Sequence, residues 1–368
     1  MQTLLRALFT PQVRSGAKPA VLFALAFAAV AAPLSLALRA AAPMPDLVVL
    51  SPKLAAYEAA PERYDTVFVG TSRTFYHIVP DEVERGAAEA GCTGWNVMNF
   101  GVFGLTGAEE DWLVERIVTA GEGHLQRIVI EDPLMNARDF ADATTDRARF
   151  FSGPDSWQAQ ADNISSFPES LPKRLYRSGI LGLGIGFDLS GVGRGAALAF
   201  PSGKPDEPFT FEMRQDGFEA LGSLMTPDIA ARRQEFEDHP ERFEEMLARY
   251  GAPSSEDITA RATYLAERLD ALSARGLTAA LYVSPDLAEL DRTPRTGEAV
   301  RNLPGERIVM NFNRPDVHPD FFTPDLWFDF SHLGEAGARR LSFEAGRDFC
   351  ARSTAESTSQ EFSANAVR

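Results

Sequence analysis

The stretch Tyr64-Asp65-Thr66-Val67-Phe68-Val69-Gly70-Thr71-Ser72-Arg73-Thr74 carries the key to the fold. Its apolar run is too short for a helix and closes on a glycine, the pattern of a buried parallel strand entering a loop. The unit then repeats. A helix is predicted from about Pro80 to Ala90, a strand from about Trp95 to Asn99, and a helix from about Ala108 to Ala120. His124 to Ile130 (HLQRIVI) reads as a third strand. Strand, helix and strand in alternation predict parallel pairing through crossovers, with helices on both faces of the sheet.

The alternation resumes far downstream. Ile258, Leu265, Leu269 and Leu272 have helical spacing within Asp257 to Arg275, and Gly276 ends that helix. Leu277 to Val283 (LTAALYV) is a fourth strand, Arg307 to Phe312 a fifth, and Gly334 to Ala351 a closing helix. The expected fold class is therefore α/β, a three-layer α/β/α domain over 61–352 with a five-stranded parallel sheet and an insert at about 150–251. The first half of the insert holds Gly179, Gly182, Gly184, Gly186, Gly191, Gly193 and Gly195. A dinucleotide-binding loop would need a preceding strand, and none is present, so a loop or loosely packed helix is expected. The second half, Ala231 to Tyr250, is a charged helical stretch broken at Pro240, read as a solvated face, with a lid over the substrate as the other role. The polar tail, 353–368, is expected to be disordered.

Of 368 residues, 36 are Lys or Arg and 52 are Asp or Glu, for a formal net charge of -16. That balance excludes a general nucleic-acid binder, which needs cationic surface to displace counterions. Cys92 and Cys350 are the two cysteines, enough for one bridge at most and too few for a four-cysteine zinc site. The acidity is unevenly spread. Pro19 to Leu38 (PAVLFALAFAAVAAPLSLAL) is uncharged, and as a helix it would span roughly 30 Å, the thickness of a hydrocarbon core. Arg6, Arg14 and Lys18 precede it, and no acid occurs before Asp46. The positive-inside rule then gives a cytosolic N-terminus over 1–18, a transmembrane anchor or uncleaved signal over 19–42, and a linker over 43–60. The rest would be exported, periplasmic or otherwise extracytoplasmic, where a disulfide can form.

Three segments sit where open α/β sheets bind ligands, at the carboxyl ends of strands. In Gly70-Thr71-Ser72-Arg73-Thr74 a serine directly follows a strand and can present its hydroxyl at the mouth of the sheet. Its plain alternative is an N-cap by Ser72 or Thr74. In Asn99-Phe100-Gly101-Val102-Phe103-Gly104-Leu105-Thr106, glycines let backbone N–H groups approach a ligand, as they also serve any tight turn. In Phe328-Asp329-Phe330-Ser331-His332-Leu333-Gly334, an aspartate three residues before a histidine can fix the imidazole tautomer, so that the other nitrogen accepts a proton from a serine. His77, His124, His239 and His318 have no such partner in sequence. His318 and His332 lack a third ligand at a matching spacing, so no metal is expected.

Gly-x-Ser after the first strand, Asn-x-Gly-x-x-Gly-x-Thr after the second and Asp-x-x-His-Leu before the last helix resemble the SGNH (GDSL-like) hydrolase family. The likeness is narrower to its membrane-anchored branch, associated with cell-envelope polysaccharide O-acetylation and teichoic-acid alanylation. It covers about 64–136 and 265–349. The resemblance implies strand order 2-1-3-4-5, with Ser72 as nucleophile, His332 as general base and Asp329 as orienting acid. The oxyanion hole would be formed by the Ser72 amide and Gly104. In such a sheet the first and last helices cover one face, so a Cys92–Cys350 disulfide is feasible. Thr71 replaces the Asp of Gly-Asp-Ser. The family's Gly-x-Asn-Asp is absent after the third strand, where Glu131-Asp132-Pro133-Leu134-Met135-Asn136 stands, and Asn136 is the candidate for the missing oxyanion donor. The implied activity is serine-dependent ester hydrolysis or O-acyl transfer on an acylated envelope glycan or a small acyl ester, with no cofactor. The implied partner is a multispanning membrane acyltransferase. The degraded third motif motivates the alternative, a non-catalytic envelope protein that binds glycan or assists its acylation and export.

Overall fold

The computed structural model of the chain describes residues 44–132, 214–223, 225–252 and 258–366 without a break, together with 170–189 and parts of 19–37 and 145–164. The chain divides into two compact units. One comprises 47–136, 165–168 and 207–368 and contains the sheet; the other comprises 1–46, 137–164 and 169–206. In the first unit the elements run α1 (Leu50–Ala59), β1 (Thr66–Gly70), α2 (Ser72–His77), α3 (Pro80–Glu89), β2 (Val97–Gly101), α4 (Gly107–Ala120) and β3 (Arg127–Glu131). The second unit contributes α5 (Asp146–Phe151) and α6 (Leu171–Leu189). The first unit continues with α7 (Pro227–Asp238), α8 (Pro240–Leu247), α9 (Thr259–Ala274), β4 (Thr278–Val283), α10 (Thr293–Asn302), β5 (Ile308–Asn311) and α11 (Glu335–Ala366).

The five strands form one parallel sheet in the order β2-β1-β3-β4-β5. β1, β2 and β5 are buried at every position, which is why these strands read as apolar runs rather than alternating ones. Phe68, Val97, Val129, Ala280, Tyr282, Ile308 and Met310 join Val83 and Ala87 of α3 and Leu341, Ala345 and Phe349 of α11 in one apolar cluster. No residue of α1, α4, α9 or α10 enters that cluster, and α4, α9 and α10 contact the sheet through β1, β4 and β5. Because successive strand side chains point to opposite sides, helices cover both faces. Register pairs Gly70 with Gly101 and Val69 with Ile130, bringing Gly70, Gly101 and Glu131 to one edge. The chain leaves β1 for β2 on one side and β3 on the other, so the crevice beyond Gly70 is the topological switch point.

α3 and α11 touch closely: a Cβ on Gly86 would lie 1.9 Å from the Phe343 carbonyl oxygen, and one on Gly346 would lie 2.0 Å from that of Val83. Cys92 and Cys350, 258 residues apart, are joined by a disulfide beside this contact. Replacing both by serine is expected to lower stability by about 2–4 kcal/mol, because the unfolded chain regains the freedom of a long loop. Thermal melting of wild type with and without reductant, beside the double variant, measures this. Equal midpoints in all three would count against it.

Several expectations change. The linker expected over 43–60 contains α1, whose buried Leu50, Lys53, Leu54 and Tyr57 have helical spacing. Pro52 sits in its first turn, where no intrahelical N–H bond is lost. The tail expected to be disordered from 353 continues α11 as far as Ala366. The expected insert divides between the two units, with its part from Glu207 onward belonging to the sheet-bearing one. There α7 and α8 break at Pro240, but Phe236 and Phe243 are buried in the core cluster, so this segment is more than a solvated face. In the other unit the glycine-rich stretch forms α6 as far as Leu189, while Gly191, Gly193 and Gly195 lie outside the described residues. The anchor expected over 19–42 is only partly described; its helical Val21, Leu22, Phe23, Leu25, Phe27, Val30 and Leu34 are exposed. Among the described residues no helix is long and apolar enough to cross a membrane.

Candidate active site

The turn after β1 presents Ser72 at the switch point. Thr71, in extended conformation, is the N-cap of α2, its hydroxyl accepting from the Arg73 amide at 3.3 Å. Ser72 is therefore not consumed as a cap, and it is the only residue from Thr71 to Pro80 that is not buried. Its Oγ lies 2.9 Å from His332 Nε2. His332 Nδ1 lies 3.0 and 3.1 Å from the two oxygens of Asp329. The same Asp329 Oδ1 accepts from the Ser331 and His332 amides at 2.7 and 2.8 Å, which folds the loop 328–334 back on itself. Burial alone would raise the Asp329 carboxyl, but the His332 ring and these N–H donors outweigh it and hold the group below its ordinary value. An ionised Asp329 accepts a hydrogen bond from His332 Nδ1–H and so keeps the ring proton on Nδ1, leaving the Nε2 lone pair to face Ser72.

A buried carboxylate props the turn from below. Glu131, at the end of β3, accepts from the Thr71 amide at 2.7 Å, the Thr74 hydroxyl at 2.7 Å and Arg73 Nε at 2.6 Å. Arg73 Nη1 reaches on to Asp286, beyond β4, at 2.6 Å. One guanidinium thus ties the residue after Ser72 to the ends of two strands. Asn99, mid-strand in β2, donates to the carbonyls of Thr74, Phe75 and Ile78 at 2.7, 3.1 and 2.6 Å, holding the other end of α2. Lys53 of α1 is 2 % exposed; its Nζ donates to Gly101 O at 2.8 Å and lies 4.3 Å from the Phe75 ring centre. A Cβ on Gly101 would meet the Phe75 amide at 2.0 Å, so only glycine lets α2 lie this close to β2.

The loop 328–334, which carries Asp329 and His332, is braced from α7 and α8. Arg233 Nη1 donates to the carbonyls of Trp327 and Phe328 at 2.9 and 3.2 Å. Phe236 meets Phe330 at 5.0 Å, and the Arg242 guanidinium lies 4.5 Å from the Phe330 ring centre. The charged half of the insert therefore supports the loop that carries Asp329 and His332.

The structure brings Ser72, His332 and Asp329 together. Gly104 sits in the turn after β2 at φ +55°, a left-handed conformation that favours glycine, and nothing lies within 4 Å of where a Cβ would stand. Asn136 lies outside the described residues. His318 packs against Phe312 and Phe321, away from any ligand cluster, and no metal-holding group of three or more His, Cys, Asp or Glu occurs among the described residues. The sequence motifs give no role of their own to Arg73, Glu131, Asp286, Asn99, Lys53 or His77. The available signals were an acid ending an apolar strand at Glu131 and an amide inside one at Asn99. No family model matches the chain, and no curated protein is significantly similar to it.

Proposed function

We propose that the chain is a serine-dependent esterase or O-acyltransferase of SGNH type, acting on acyl esters of an envelope glycan. The observation that carries the reading is the hydrogen-bond chain from Ser72 Oγ through His332 to Asp329. In the reaction, His332 Nε2 takes the Ser72 proton as Oγ bonds to the ester carbonyl carbon, and the carbonyl electrons move onto oxygen. The Ser72 and Gly104 amides are the donors proposed for that oxyanion. Collapse expels the alcohol, which leaves with the proton from His332. Water or a glycan hydroxyl then attacks the acyl-serine by the reverse path.

The uncharged stretch 19–38, after a basic leader, supports membrane anchoring with the catalytic unit exported, and a multispanning acyltransferase as partner belongs to the same proposal. Full-length protein is given an acetyl-ester donor with and without a glycan acceptor, and products are read by mass spectrometry. Acetylated glycan identifies a transferase, and free acetate alone an esterase. Neither product, together with glycan binding, would replace this reading with the non-catalytic one.

A further inference from the structure

Resting on that serine-dependent reading, we infer that His77 is a positioning residue: its ring and backbone set the separation of Ser72 and His332 by joining the end of α2 to the base loop, to β4 and to α11. His77 closes the short helix that Ser72 opens, and it is fully buried. The Leu333 amide donates to His77 Nε2 at 2.9 Å. A backbone N–H can only donate, so Nε2 carries a lone pair and the ring proton sits on Nδ1. Nδ1–H then donates to Ser284 Oγ at 2.7 Å, just beyond β4, and the Tyr282 hydroxyl donates to the same oxygen at 3.0 Å. On the backbone side, Ser342 Oγ of α11 accepts from the Val79 amide at 2.8 Å and lies 2.7 Å from the carbonyl oxygens of both His77 and Ala338, which share its one proton.

One residue thus spans the nucleophile helix and the chain neighbour of the base, His332, whose ring it meets edge-on at 5.9 Å between centres. The titratable and charged groups facing it are His332 and Asp329 of the base loop, Arg73 of α2 and, through Ser284, Tyr282 of β4. Burial above all, then His332 and Arg73, outweigh Asp329 and hold His77 well below the ordinary histidine value. Its neutrality matters twice. Protonation would remove the acceptor for Leu333 N–H and would set a cation beside the imidazolium that His332 becomes during acyl transfer. His77 has no bond to Ser72 Oγ and acts only through the frame it holds.

The test uses full-length protein carrying His77→Phe, which keeps a ring without nitrogens, or His77→Gln, whose amide oxygen reaches the place of Nε2. In His77→Phe, kcat on an acetyl ester and the rate of Ser72 labelling by a fluorophosphonate are expected to fall about 10- to 100-fold with KM unchanged, the loss typical of a displaced catalytic group. His77→Gln recovers most of it. A second readout is independent of turnover. In ¹⁵N-histidine NMR, His77 of wild type carries its proton on Nδ1 through the neutral range. A His332 Nδ1 proton held against Asp329 is expected at low field in wild type and is expected to be lost in His77→Phe. The inference is overturned by an Nε2-protonated His77, by titration near the ordinary value of about 6.5, or by a Phe variant that keeps wild-type kcat and the low-field proton. If the Phe variant does not fold, His77→Asn replaces it, and equal activity of Asn and Gln overturns the inference. If wild type hydrolyses no ester, the serine-dependent reading fails while the NMR measurements still decide the role of His77.

Discussion

Ser72→Ala and His332→Ala are each expected to lower acetyl-ester hydrolysis by on the order of 10³-fold or more, and the double variant no further than either single one. The reason is geometric. Ser72 Oγ is 2.9 Å from His332 Nε2, so in the proposed reaction the serine would lose its proton to that one ring and the two would work as a single unit. Groups that act as one unit are not additive when removed. Asp329→Asn should be nearly as damaging, because an amide cannot hold the His332 proton on Nδ1 as an ionised carboxylate does. It also confronts the Ser331 and His332 amides, which now donate to Asp329 Oδ1. Steady-state rates on a soluble ester decide the matter. Should wild type be active while both Ser72→Ala and His332→Ala retain its rate, the assignment of nucleophile and base is wrong.

Arg73→Met should destabilise the fold by about 3–5 kcal/mol, the usual consequence of removing one partner from a buried ionic cluster. Arg73, Glu131 and Asp286 are 7 %, 1 % and 5 % exposed, and the guanidinium is the cation that both carboxylates contact. Burial already raises the Asp286 carboxyl while Arg73 pulls it down. Without Arg73 that opposition is gone and its folded-state value rises further. The sign with pH follows. A carboxylate whose folded value lies above its unfolded one, about 4, loses stability as pH rises through that window, so the deficit of the variant is largest at neutral pH and shrinks toward pH 4. Urea unfolding of wild type and variant at pH 7 and at pH 4.5 measures both features. Arg73→Lys should fall between them, since an ammonium keeps the charge but cannot span two carboxylates as a planar fork does. A variant within about 0.5 kcal/mol of wild type at pH 7, the range of an ordinary surface substitution, would mean that the cluster is not what holds the turn.

The sheet was legible because each strand is buried on both sides and so writes itself as a contiguous apolar run. β4 and β5 lie within the runs read from sequence, β1 and β3 each end one residue past theirs, at Gly70 and Glu131, and β2 is shifted two residues downstream, to Val97–Gly101 from about Trp95–Asn99. α10 was not legible: Thr293–Asn302 is polar along most of its length, and it is helical because Pro294, Thr296, Gly297 and Val300 bury against the sheet. α1 was hidden by its proline, and α2 by its brevity. Ser72, His332 and Asp329 could be picked out in sequence because two of them share a local motif and the third follows a strand.

Local pattern settled what depends on neighbours along the chain: strand, turn and helix, the parallel sense that helical crossovers impose, and the Asp329–His332 pair, whose members stand three residues apart. Folding alone settled what depends on neighbours across it. Ser72 and His332 are 260 residues apart, and their contact, like the joining of Cys92 to Cys350, exists because β1 lies at the switch point and α11 packs on α3. The props of the turn, Arg73 with Glu131 and Asp286, and His77 with Ser284 and Leu333, are buried polar groups whose partners come from other strands and loops. No spacing records such pairings. They follow from the requirement that a polar group taken out of water find its hydrogen-bond partner wherever the fold has placed one.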